Sequence, residues 1–501
     1  MVKSELLSFT YDHRSYRQYL SVWLEIVDRW VEQKELIPLF EHFQDRYHLS
    51  PENIKQFLKR TIANWYDFTS CSFLRCLSFK NDCYSKAWFF STLGYLLIHS
   101  RKNGYRRKKT FLIIDDIYDM EWELKPFSHF RHLAPFEIVY VATRKQAAGL
   151  VEEENFFLFA NRQGYEKSVL NDVIRVEYKH GCPLYRSLSQ KLGVDIYRLA
   201  FSVLNQYLYY HRMFSSISAE YCLTWRDYSA FSIKRAMFKQ FGGKAVCTVQ
   251  RSRHGLTTLA AFMDVDIYFP LGDWFTELAR RLGGKISKVI PVGSLFCEVN
   301  LADMIPVLEE FDIVFIDTLM GEVLNFYDGY YEDHMEVYTW LGKFASSHRD
   351  VKVAFKCDQR YPLRMQVMEE LKRRGVHIFN TRDSYKEALK GRIVATYHST
   401  MGFELMGAGY PILFCDPGQR SPYMPDDETF KPFCATDYDS FCGKVEELLS
   451  MSQKEKESYA HSFAYFAHSS LFAAKTMIDV LRGESEVQLT IIPSNALGVG
   501  R

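Results

Sequence analysis

Eleven cysteines are scattered along 501 residues without one CxxC pair or any regular framework. That excludes a disulfide scaffold and points to a reducing compartment. Cys71, Cys76 and Cys83 lie closest together, but their spacing suits buried free thiols rather than a zinc site. An excess of one charge is also missing: lysine and arginine number 62, aspartate and glutamate 61, for a formal net charge of +1. A dedicated nucleic-acid binder carries a marked basic excess, so nucleic acid is excluded as a partner. Long apolar runs are absent too. The longest, Ala87 to Ile98, is too short to span a bilayer. Residues 1–20 carry charges throughout and show no apolar signal-peptide core. The expectation is a cytoplasmic protein, at most peripheral on the inner face of a membrane.

What is present is a globular composition, 47% apolar and 25% charged, in a chain long enough for two to three domains. Residues 1–108 read as helical, with Trp23, Leu24, Ile26, Val27, Trp30 and Val31 at helical spacing and an N-cap signature at Ser50-Pro51-Glu52. The run Arg101 to Lys109 is the one strongly basic segment, either a solvated linker or a patch for anionic lipid head groups or a polyanionic acceptor. From Thr110 the texture changes to strands alternating with helices. Strands are expected at 111–114, 137–142, 173–177, 222–225, 244–250, 265–269 and 286–292, with helices at 184–214 and 229–241. A second set opens at 311–317 and continues through 351–355, 376–379 and 392–415, closed by helices at 438–449 and 453–481. Alternation of this kind implies α/β architecture with doubly wound parallel sheets. The expected division is a helical region 1–108, a first Rossmann-like domain 109–300, a second 301–483, and a loose tail 484–501.

Residues 392–421 carry the strongest signal. A β-branched run, Ile393 to Thr396, is followed by His398-Ser399-Thr400 and then by Met401 to Met406 at helical spacing, with a hydroxyl residue as N-cap. Gly407, Gly409 and Pro411 end the helix before a second strand, 412–415. A helix N-terminus at the carboxyl end of a parallel strand offers free N–H groups and a positive dipole end to an anion, phosphate above all. Gly402 is expected to leave room for a ligand, and Glu404 to accept from sugar hydroxyls. Ser-Thr-x-Gly-x-Glu followed by Gly-x-Pro and an apolar strand ending in Asp416 resembles the donor-site motif of GT-B glycosyltransferases. The resemblance implies two Rossmann-like domains facing a cleft, with the helix N-terminus on the donor diphosphate and Glu404 on the ribose. Gln419 and Arg420 are further donor-side candidates.

Other segments extend that resemblance to bacterial surface and capsular polysaccharide enzymes of the CDP-glycerol glycerophosphotransferase kind. Lys356 ends a strand where that group carries Lys-Pro-His-Pro; here Cys357-Asp358-Gln359 replace Pro-His-Pro, so only the lysine's phosphate role carries over. Gln250-Arg251-Ser252-Arg253-His254-Gly255 is similar to the group's His-Gly turn. It makes His254 a general base, since imidazole titrates near neutrality, with Arg251 and Arg253 suited to an anionic substrate. Asp227 either orients that base or caps the following helix. Gly293-Ser294 matches the hinge into the second domain, and Thr318 the donor-side loop. Asp115-Asp116-Ile117-Tyr118-Asp119 fits the DDxxD pattern of prenyl synthases. It follows a strand rather than lying on a helix, so Asp116 is an acceptor-side candidate and no metal site is expected. The implied function is transfer of a sugar or polyol phosphate from a nucleotide-sugar or CDP-polyol donor to a glycan or lipid-linked acceptor hydroxyl, without a required cofactor. A UDP-sugar 2-epimerase on the same fold and a non-catalytic nucleotide-binding scaffold are the alternatives.

Overall fold

Two parallel sheets organise the chain. The computed structural model describes residues 16–68, 79, 81–100, 108–117, 121–142, 156–158, 165–224, 227, 231–251, 258–302, 309–318, 330–357, 365–381, 383–468 and 472–484. In the first domain the strands are β2 (Leu112–Ile117), β3 (Ile138–Ala142), β4 (Phe156–Leu158), β6 (Tyr221–Thr224), β7 (Ala245–Val249), β8 (Asp264–Phe269) and β9 (Lys285–Val289). A short pair, β1 (Lys108–Lys109) and β5 (Ile217–Ser218), stands apart. The seven strands run in the order β4-β3-β2-β6-β7-β8-β9, every pair parallel.

The period of two in β2 decides which residues meet which layer. Leu112 and Ile114 join Phe127, Phe130, Leu295, Val299, Met477 and Ile478 on one face. Ile113 turns to the other, with Val139, Cys222, Val246 and the helical layer. That layer is larger than residues 1–108. Helices Tyr16–Val31, Ile37–Tyr47, Pro51–Phe68 and Asp82–Ile98 pack with Lys167–Val176, Cys182–Leu192 and Ile196–Ser216, which lie between β4 and β6 in the chain. The expected strand at 173–177 is a correction: Leu170, Val173 and Glu177 are buried at helical spacing, and a π-helical turn, Glu177–Gly181, joins the two helices there.

The second domain contains β10 (Phe311–Ile316), β11 (Val353–Lys356), β12 (His377–Phe379), β13 (Gly391–Thr396), β14 (Ile412–Cys415) and β15 (Cys434–Ala435). Their order is β12-β11-β10-β13-β14-β15, again parallel throughout. The doubly wound α/β plan expected from the sequence is therefore present twice, beside a helical region. The single helix expected at 453–481 is two, Gln453–His461 and Ala473–Arg482. Between them Phe463 and Phe466 turn inward, and the N–H of His468 donates to the Leu271 carbonyl at 2.6 Å. The last helix thereby returns to the first sheet. Cys83 is exposed, not a buried thiol, while Cys71 and Cys76 lie outside the described residues.

Candidate functional site

In an open parallel sheet the crevice for a ligand opens at the carboxyl ends of the strands, where the winding reverses. In the second sheet that point lies between β10 and β13, because β11 continues to one side of β10 and β14 to the far side of β13. Asp317-Thr318 leaves β10 there, and Tyr397-His398-Ser399 leaves β13. Thr396 ties the two exits together, its Oγ1 donating to the Ile316 carbonyl at 2.8 Å and accepting from the Ser399 N–H at 3.3 Å. Ser399 is the N-cap of helix Thr400–Gly407, its Oγ accepting from the Met401 N–H at 3.2 Å. Thr400 is partly exposed at the first helical position.

His398 is nearly fully buried beside a second histidine, His334, with ring centroids 5.3 Å apart and edge to face. Tyr330, Tyr397 and Tyr423 complete an aromatic box around His398, at 5.5, 4.4 and 5.4 Å. The hydrogen bonds set the tautomer. His334 Nδ1 donates to the Tyr330 carbonyl at 2.8 Å, which leaves Nε2 of the neutral ring as an acceptor. The Thr318 hydroxyl can donate to that nitrogen at 3.4 Å and accept from His398 Nδ1 at 3.5 Å, two long contacts. Beneath them Asp317 Oδ1 accepts from the Tyr338 hydroxyl at 2.6 Å and from the Thr318 N–H at 2.8 Å.

Lys356 ends β11 beside Ile316 and is buried, its Nζ donating to the Cys357 carbonyl at 2.6 Å. It is not a surface lysine with a solvated tip. Arg420 is half-exposed and is bound to the buried Asp333 and, at 3.3 Å, to Glu336. Gln419 is exposed with φ +58°.

Two donor-side expectations are corrected by packing. A Cβ at Gly402 would come within 2.8 Å of the Phe414 ring and 3.0 Å of Thr396 Cγ2. The glycine therefore lets the helix lie close against β13 and β14, and the space expected for a ligand is filled by Phe414. Glu404 is buried with its carboxylate engaged: Ser294 Oγ donates to Oε1 at 2.6 Å and the Tyr385 hydroxyl to Oε2 at 2.5 Å. Burial pushes its carboxyl above the ordinary range, against the pull of those two hydrogen bonds. Ser294, expected as a hinge residue, also accepts from the Cys297 N–H at 3.2 Å at the start of helix Leu295–Ala302. Glu404 thus bridges the interdomain connection and helix Thr400–Gly407; in this structure it is not open to a ribose.

The first sheet reverses between β2 and β6. Asp115, on β2, forms a buried ion pair with Lys234, whose Nζ also donates to Thr224 Oγ1 at 2.7 Å. Asp227, just beyond β6, is fully buried and accepts at Oδ2 from the Tyr268 hydroxyl at 3.3 Å. It does not cap the following helix, Ser232–Gln240, whose N-cap position is Phe231. Arg60 reaches this point from the helical region, donating to the Ala261 carbonyl at 2.7 Å and, at 3.5 Å, to that of Asp227. Burial pushes its guanidinium down to about 10, while the charge of Asp227 acts to raise it. Arg251 is partly buried at the end of the segment leaving β7. His254 and Arg253 lie outside the described residues, as does the side chain of Asp116.

No protein-family model matches the sequence, and no curated protein matches it. Solved structures do resemble the chain. One is a putative UDP-N-acetylglucosamine 2-epimerase from Listeria monocytogenes, at 12% identity and a TM-score of 0.44 over 76% of this chain and 97% of that one. A second is UDP-GlcNAc 2-epimerase from Neisseria meningitidis bound to UDP-GlcNAc, at 11% and 0.45 over 75% and 100%. A variant of the wall teichoic acid polymerase TagF follows at 10% and 0.41 over 81% and 97%. At this level of likeness none of them speaks to the chemistry of this chain.

The site contains residues that the sequence did not mark. His334, Asp333 and Tyr338 lie on one helix, Tyr330–Ser347, and all three are buried. Three polar side chains at i, i+1 and i+5 on an otherwise apolar buried face are a detectable signal, since unpaired polar groups are rarely tolerated there. Arg60 and Lys234 carried no such mark.

Proposed function

We propose that the chain is a GT-B-type transferase that moves a sugar or polyol phosphate from a nucleotide-activated donor to an acceptor hydroxyl. The second domain takes the donor. One observation carries this reading: Thr318, His398 and the capped N-terminus at Ser399 meet at the carboxyl edge where the second sheet reverses, and Lys356 ends the adjacent strand β11 at the same edge. That edge combines a cation, hydroxyls and helix N–H groups, the set that holds a diphosphate and stabilises it as it leaves. Asp227 and Asp115, at the reversal of the first sheet, occupy the corresponding place on the acceptor side. His254 is the base assigned by the resemblance, with Arg251, Arg253 and Asp116 near an anionic acceptor.

The test is a thermal-shift screen of UDP, GDP, CMP, CDP and their conjugates on wild type and Lys356→Met, which keeps the unbranched chain up to its last atom and removes the charge. A ligand at about a hundred times its dissociation constant stabilises the fold by roughly 2.7 kcal/mol. One nucleotide should shift the wild type. Its affinity should fall by about 2 kcal/mol, roughly thirtyfold, in the variant through loss of a charge-assisted hydrogen bond. No shift with any nucleotide overturns the reading. A shift without turnover favours the scaffold alternative.

A further inference from the structure

The helix Asp82–Ile98 is apolar on both sides, which a helix packed on one side only does not require. Ser85, Phe89, Leu93 and Leu96 face the core. On the opposite side Tyr84, Tyr95 and Ile98 are exposed at 59%, 43% and 80%, with Ala87 and Ser91 between them and no charged residue among the five. Tyr178, 64% exposed on the neighbouring π-helical turn, stands beside the same helix, its ring 5.8 Å from Phe90. Three large side chains on one face of a single helix, with Tyr178 beside its flank, are more than scattered apolar exposure.

Basic groups border the patch. Lys86 Nζ lies 5.1 Å from the centre of the Tyr178 ring, and Lys179 follows Tyr178 on the exposed side. Arg175 and Arg186 stand nearby, paired with Asp172 at 2.7 Å and Asp82 at 3.6 Å. In sequence the helix is followed at once by Arg101, Lys102, Arg106, Arg107, Lys108 and Lys109, with no acidic residue between them, in a chain whose formal net charge is only +1. Exposed tyrosines and an isoleucine rimmed by lysines match the boundary of a bilayer, where aromatic rings sit at head-group depth and cations meet anionic lipid. We infer that the outward face of helix Asp82–Ile98, with Tyr178 and Lys179, docks the protein on an anionic membrane surface. This is independent of the transferase reading.

Co-sedimentation of the full chain with phosphatidylcholine vesicles, alone or mixed with phosphatidylglycerol, tests it. Binding is expected only to the mixed vesicles and is lost as salt shortens the screening length. Lys179→Ala should weaken it about fivefold, and Ile98→Asp by roughly tenfold or more, both with unchanged thermal unfolding because the two side chains are exposed. Absence of sedimentation with the mixed vesicles overturns the inference, as does equal binding to both vesicle types. Dimerisation in free solution that Ile98→Asp abolishes, with vesicle binding unaffected, overturns it in favour of a second copy of the chain as the occupant.

Discussion

Glu404 shows how far a single residue's meaning depends on its partners. By its position in the motif it is expected to hold a ribose, yet Ser294, 110 residues earlier, and Tyr385, 19 residues earlier, take both carboxylate oxygens. The folded carboxyl titrates above its ordinary value of 4.5. Between that value and the raised one, the folded state keeps a proton that the unfolded chain has released. Stability contributed by this group is complete below the unfolded value and is lost as pH rises through the folded one. Glu404→Gln removes the titration. Its urea stability relative to wild type should therefore climb with pH across that window, with a slope of at most about 1.4 kcal/mol per pH unit. A difference independent of pH would mean that the buried group is not the titrating one. Ser399 was legible because capping is local, its partner lying two residues on. The burial of His334 left a local signal but its partners did not, because it meets Thr318 and His398 only after the sheet has formed.

At the scale of elements, the π-helical turn Glu177–Gly181 is the clearest case of local sequence yielding to packing. Glu177 is fully buried and accepts from the Tyr47 and Tyr185 hydroxyls, both at 2.5 Å, with His42 Nε2 at 3.0 Å. The π-helical turn begins at this residue, whose carboxylate lies on the same buried side of the helix as Leu170 and Val173. Gly181 makes that possible, since a Cβ there would stand 2.0 Å from Glu177 Oε2. Gly181→Ala should cost about 2 kcal/mol in denaturant unfolding, the usual effect of crowding a packed interior. A neutral result would show that the turn relaxes without penalty. The β-branched residues Val173, Ile174 and Val176 suggested a strand, but the buried positions follow the helical period. Strands β2, β6, β7, β10, β13 and β14 were readable because each is a short apolar run in an alternating pattern.

Across the whole molecule the two domains are joined by more than the linker. Tyr465 donates to Glu277 at 2.6 Å, Arg281 meets Asp426 at 3.0 Å, and the Trp274 N–H donates to the Tyr465 carbonyl at 3.0 Å. At Gly272 a Cβ would lie 2.4 Å from the Phe466 backbone, so the segment that crosses between domains rests directly on the first domain. The crossing ends in helix Ala473–Arg482, where Met477 is fully buried against the first sheet's outer layer. Met477→Ala should therefore destabilise the protein by about 3 kcal/mol. Urea unfolding checks it, and a loss below about 0.5 kcal/mol would mean that the returning helix does not support the first domain.

The doubly wound α/β class, the helical start and the strand–turn–helix unit at 392–415 follow from the amino-acid sequence, because these rest on periodicity and on caps that act within a few residues. Only the folded chain reveals that Gly402 serves packing, that Glu404 ties helix Thr400–Gly407 to the interdomain connection, and that His334 joins His398. It also reveals that the last helix returns to the first sheet. Each of these depends on groups brought together from distant parts of the chain, and burial then fixes which hydrogen bonds a polar group can keep.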